Sequence, residues 1–100
     1  MNSPSAPPES AKTPESSAAL TFPSAFPIKI IGRDTPEFHQ TVAAAFSRHV
    51  APFGTLPVNQ HSSREGRFIS LTVTIVAESR TQLDALYSEL SASEHVLVAL

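Results

Sequence analysis

The segment Arg67-Phe-Ile-Ser-Leu-Thr-Val-Thr-Ile-Val-Ala77 decides the fold, because its side chains alternate in character from one residue to the next. Ile69, Leu71, Val73 and Ile75 fall on one side of an extended chain, and Phe68, Ser70, Thr72, Thr74 and Val76 on the other. A helix turns by 3.6 residues and would scatter the four aliphatic residues around its circumference. The period of two therefore predicts a central strand that rests one face on a core and leaves the other face polar.

Reading toward the C-terminus, Ser79-Arg-Thr-Gln82 has the spacing of a capping box, and Leu83, Leu86, Tyr87 and Leu90 follow as an amphipathic stripe. That predicts a second helix, after which Val96 to Leu100 forms a last strand. Reading toward the N-terminus, Ser62 to Gly66 is a hairpin loop, and Leu56-Pro-Val-Asn-Gln-His61 is a weaker strand whose Pro57 suits a sheet edge. Further back, Phe26-Pro-Ile-Lys-Ile-Ile-Gly32 reads as a strand with Ile28 and Ile30 on one face. Asp34 or Thr35 caps the helix that follows, with Pro36 in its first turn and Glu37 complementing the helix dipole. Phe38, Val42, Ala45, Phe46 and Val50 give that helix its apolar face before Pro52 and Gly54 end it.

Strand, helix, strand, strand, helix, strand is the order of an α+β ferredoxin-like βαββαβ plait. Right-handed crossovers place both helices on one face of a four-stranded antiparallel sheet. Ile69, Leu71, Val73 and Ile75 then meet Phe38, Val42, Phe46, Leu83, Leu86 and Leu90 in a two-layer core. The face bearing Ser70, Thr72 and Thr74 is left open to water or to a partner.

Composition sets the bounds on function. The 100 residues are 41% hydrophobic and 16% charged, with a formal net charge of −2 and no Cys. One small domain fits, and a two-lobed enzyme does not. Without a basic excess there is little to displace counterions from phosphates, which argues against nucleic acid and anionic membranes as partners. The lack of Cys removes disulfides, thiol catalysis and Cys-ligated zinc. Residues 1–21, rich in Ser, Pro and Ala, have too little to bury to offset the cost of ordering and are expected to form a disordered tail, with the folded domain over 22–100. The longest apolar run, Val96 to Leu100, is far short of a membrane span, and no secretory signal is visible, so a cytoplasmic protein is expected.

Chemistry-bearing motifs are sparse. His39 and His49 lie ten residues apart on one helix, roughly 15 Å of rise, too far to share an ion. His61 and His95 are expected on opposite edges of the sheet. Neither a nucleophile elbow nor a phosphate-binding glycine loop can be assembled, so no catalytic residue, metal site or cofactor is assigned. An RNA-recognition motif shares the topology, but Glu65-Gly-Arg-Phe-Ile-Ser-Leu71 offers Phe68 alone for stacking, and Arg64, Arg67 and Lys29 make only a small basic spot. Protein contact is favoured instead. An uncharged terminal edge strand, Val96 to Leu100, is the kind of edge that pairs with a second copy or with a partner's strand.

Several short motifs carry a family resemblance: Phe22-Pro-x-x-Phe26, Ile28-Lys-Ile-Ile-Gly32, Pro36-Glu-Phe38, Ser47-Arg-His49, the stretch from Ser63 to Thr74, and Leu86-Tyr-x-Glu-Leu90. Over about residues 22 to 100 the chain resembles the YbeD-like family of small uncharacterised bacterial proteins. The resemblance implies a ferredoxin-like plait of unknown function, similar in topology to the ligand-binding regulatory domains called ACT domains. It draws attention to the loop Gly32-Arg-Asp-Thr-Pro-Glu37, where Gly32, Asp34 and Pro36 fit the ACT pattern and Glu37 replaces its final glycine. Two readings follow: a non-catalytic regulatory or adaptor module acting through protein contacts, and a small-metabolite sensor using Gly32, Arg33, Asp34 and Glu37.

Overall fold

Six regular elements and one 3-10 turn span the described residues, 21–100, of the computed structural model. They run β1 (Ser24–Arg33), α1 (Pro36–His49), a 3-10 turn (Phe53–Thr55), β2 (Val58–Ser62), β3 (Phe68–Ala77), α2 (Arg80–Ala92) and β4 (Val98–Ala99). The tail expected over 1–21 lies, Thr21 apart, outside these residues. The strands form one antiparallel sheet in the order β2-β3-β1-β4, the arrangement of a ferredoxin-like plait.

The alternation of β3 is carried through to burial. Ile69, Leu71 and Ile75 are 2% exposed and Val73 is fully enclosed, while Thr74 and Val76 on the other face are open. β1 lies antiparallel along the whole length of β3, pairing Ile28 with Val73 and Ile30 with Leu71, so both strands contribute to the same inner face. Phe38, Val42, Ala45 and Phe46 of α1 and Leu83, Leu86 and Leu90 of α2 close over it. Enclosing side chains of this size stabilises the fold by roughly 1.5–3 kcal/mol each.

Local chemistry fixes where the helices start. Thr35, in extended backbone, accepts the Phe38 N–H at 3.1 Å, so it is Thr35 that caps α1, with Pro36 in the first turn. Ser79 caps α2 by accepting the Gln82 N–H at 3.0 Å. The return arm differs from a standard capping box: the Gln82 side-chain oxygen accepts from the N–H of Glu78, one residue before the cap, at 2.6 Å. The Gln82 amide nitrogen then donates to the His49 carbonyl at 2.9 Å, tying the end of α1 to the start of α2. Between α1 and β2, Ser47 accepts the Phe53 N–H and the Phe53 ring tilts against Phe46, so the connection is a packed turn rather than a loose loop.

Strand limits shift from the sequence reading: β1 is longer at both ends than Phe26 to Gly32, β3 begins at Phe68, and β2 takes in Ser62, expected in the loop. Pro57 lies just before β2 and not within it, and its carbonyl accepts from the Thr74 N–H at 3.0 Å. The last strand is shorter than Val96 to Leu100: Val96 packs into the core, His95 lies in the preceding turn, and main-chain bonds to β1 run from Leu97 to Leu100.

Candidate functional site

The loop joining β1 to α1 brings Gly32, Arg33, Asp34 and Glu37 into one short segment, but they point to different tasks. Gly32 is buried, and a Cβ placed there would run into the Phe38 ring and stand 2.6 Å from the His95 carbonyl oxygen. The close approach of β1, α1 and the turn before β4 thus requires a residue without a side chain. Asp34 and His39 are joined at 2.7 Å between Oδ1 and Nε2, closing the first turn of α1. The side chain of Glu37 is exposed at the helix N-terminus, where its charge complements the dipole.

Arg33 leads onto the open face of the sheet. Its guanidinium lies 5.2 Å from the centre of the Phe68 ring, its register partner on β3. Beside that ring, Ile31, His61, Ser63, Phe68, Ile69 and Ser70 line a shallow depression of about 160 Å³. Register places Lys29, Arg33, His61, Ser70, Thr72 and Thr74 on this same face. The expected basic spot is not gathered in one place: Arg67, just before β3, pairs with Glu65 at 2.5 Å, and Lys29 sits opposite Thr72, well along β3.

The two edges of the sheet differ in length. At β4, Leu100 and Lys29 exchange both main-chain bonds, at 2.8 and 3.2 Å, and the Leu97 N–H donates to the Ile31 carbonyl. Leu97, Val98 and Leu100 are 56%, 40% and 65% exposed and carry no charge. At the opposite edge all five residues of β2 are exposed on both faces.

One polar cluster lies on the outer surface of the helix layer. Glu89 of α2 accepts from Arg48 through both carboxylate oxygens and from His49 at 2.8 Å. The Arg48 hydrogen bond, assisted by that from His49 and by both charges, holds the Glu89 carboxyl down at about 2. Burial pushes the Tyr87 hydroxyl above its ordinary value. Among the described residues no group of three His, Cys, Asp or Glu side chains could hold a metal ion, and no helix is long and apolar enough to cross a membrane.

Sequence reasoning missed the Arg33–Phe68 stack, the Glu89 cluster and the Gln82 bridge. Each joins residues more than thirty positions apart, and only the strand register and helix pairing bring them together.

The fold and its open face define a small α+β domain of the ferredoxin-like type, and solved structures share it. It superposes on the solution structure of protein HP0495 from H. pylori with a TM-score of 0.60 at 16% identity, covering 89% of this chain and 96% of that one. The uncharacterized protein TM1266 from Thermotoga maritima gives 0.58 at 13% identity, over 76% and 92% of the two chains. The C-terminal domain of the MgtC protein from Mycobacterium tuberculosis gives 0.57 at 18% identity, over 76% and 82%.

Sequence narrows the class to a family. Residues 17–100 match the model of the DUF493 family, described as protein of unknown function. A UPF0250 protein of Leptothrix cholodnii is 39% identical over 87% of this chain and 96% of its own length, and one from Nitrosomonas europaea is 40% identical over 81% and 91%. The chain belongs to this DUF493/UPF0250 family, which is the YbeD-like family that its short motifs resemble.

Proposed function

We propose that this domain is a non-catalytic regulatory or adaptor module that works through protein contacts, receiving an extended segment of a partner protein along the β4 edge. The observation that carries this reading is the uncharged, exposed run of Leu97, Val98 and Leu100 in and beside β4, which is an edge strand among the described residues. Such an edge offers main-chain groups to a strand from another chain, and its side chains offer apolar contact. The folded unit is residues 22–100, with residues 1–21 as a tail, and it acts in the cytoplasm.

The test compares proteins retained from bacterial extract by the wild-type chain and by Val98→Lys. A protein lost from the variant is then purified and added to labelled domain, and it should protect the amides of Leu97 to Leu100 from hydrogen exchange. Identical retained sets, or protection elsewhere, would overturn the reading.

The alternative, a sensor of small amino-acid-like metabolites using Gly32, Arg33, Asp34 and Glu37, draws support from the exposed Arg33 guanidinium next to the Phe68 depression. A carboxylate could pair with that guanidinium. Amide NMR titration with amino acids and central metabolites tests it: saturable shifts over Gly32 to Glu37 that Arg33→Ala abolishes would favour the sensor. A silent panel would remove it.

A further inference from the structure

We infer that the β2 edge pairs with itself: two copies of this chain join through Val58–Ser62, antiparallel and centred on Gln60, so that the sheet continues across a two-fold axis. This goes beyond the reading of β4 and does not depend on it.

The phase of the main-chain bonds is the starting point. Pro57 accepts from the Thr74 N–H, and the Ser63 N–H donates to the Phe68 carbonyl. With β2 and β3 in register between these two bonds, Asn59 and His61 also turn their main-chain groups toward β3. The N–H and C=O groups of Val58, Gln60 and Ser62 therefore face outward. Pro57 falls in the inward-facing set, so its missing N–H leaves the outer row of three donors and three acceptors intact.

That row is self-complementary. An antiparallel copy centred on Gln60 sets Gln60 opposite the partner's Gln60 and Val58 opposite the partner's Ser62, with all outward groups in hydrogen-bonding pairs. On the open face, Asn59 comes opposite the partner's His61. No charged Asp, Glu, Lys or Arg lies on the strand, so no like charges meet.

The edge also lacks protection. Native edges are commonly blunted by charge, by an internal proline, by a bulge or by a covering helix. β2 has an uninterrupted register with β3, no proline within it and, among the described residues, no helix over it, since both of its faces are exposed. β4 by contrast has two strand residues. Pairing through β2 would leave the β4 edges at opposite ends of an eight-stranded sheet, about 34 Å apart at the usual strand spacing.

Sedimentation equilibrium on the full chain, from about 10 μM to about 1 mM, tests this inference. The wild type should form a dimer that dissociates on dilution, with amide shifts on dilution confined to β2 and its immediate neighbours. Gln60→Pro, which removes a donor at the symmetry axis, should be monomeric. Because that variant could also disturb the strand, Gln60→Lys and Gln60→Glu serve as the independent pair. Each alone should weaken the dimer by about tenfold or more, and mixing them should restore it as a heterodimer. A wild type that stays monomeric throughout, or a dimer that survives both charged variants, would overturn the inference. Val98→Lys should leave the dimer intact; dissociation by that variant alone would assign self-association to β4 and reject β2, while leaving the proposed β4 contact standing.

Discussion

The two faces of β3 are built from neighbouring residues of one strand, yet they do different work. Leu71 and Val73 are sealed beneath the helices, whereas Thr72 and Thr74 look outward beside Lys29 and Asn59. The inner face holds the domain together through enclosed aliphatic volume. The outer face encloses far less side-chain volume, so substitutions there should cost less stability. In a two-layer domain one strand can thus carry the core on one side and an uncovered surface on the other.

Substitutions on the two faces put that division at risk. Leu71→Ala should have the largest effect, lowering unfolding free energy by about 2–5 kcal/mol in a denaturant titration. Gly32→Ala comes next, at about 1–3 kcal/mol, because the new methyl collides with both the Phe38 ring and the His95 carbonyl. A Gly32→Ala variant as stable as wild type would show that the β1–α1 junction is looser than the structure indicates. Glu89→Gln tests the outer surface of the helix layer and should cost about 1 kcal/mol near neutral pH. Thr72→Ala on the open face should fall below about 1 kcal/mol, and a loss equal to that of Leu71→Ala would erase the distinction between the faces.

The Glu89 prediction also has a pH signature. Its carboxyl titrates at about 2 in the folded protein against an ordinary 4.5, so folding favours the ionised form. The contribution is full above the unfolded value and is lost as pH falls from about 4.5 toward about 2. Wild type minus Glu89→Gln, measured by thermal unfolding across that window, should shrink steadily toward acid. A difference that stays constant would show that the Arg48 and His49 contacts contribute nothing to stability.

Much of the fold was legible because each regular element carries its own periodicity. The alternation from Ile69 to Ile75 and the stripe from Phe38 to Val50 need no knowledge of distant residues. The element order then leaves few topologies open. Short strands are less legible: β4 owes its limits to what β1 offers, and the start of β2 after Pro57 depends on which way a main-chain group turns, which local preference does not reveal. The candidate site was less legible still. The loop from Gly32 to Glu37 can be marked from its residues, but the setting of Arg33 on Phe68 depends on register, and the meeting of Glu89 with Arg48 depends on how two helices lie together.

Gly32 has a consequence for how this chain can change over descent. Every single-base change that turns a glycine codon into another amino acid adds a Cβ, and here the Cβ has no room between a ring and a carbonyl. Drift at this position costs stability whichever residue arrives, while the side chains of Arg33 and Asp34 beside it stand exposed. A glycine that persists in this loop among descendants would therefore record the fit of three chain segments, and a ligand site must be argued from Arg33 and Asp34 instead.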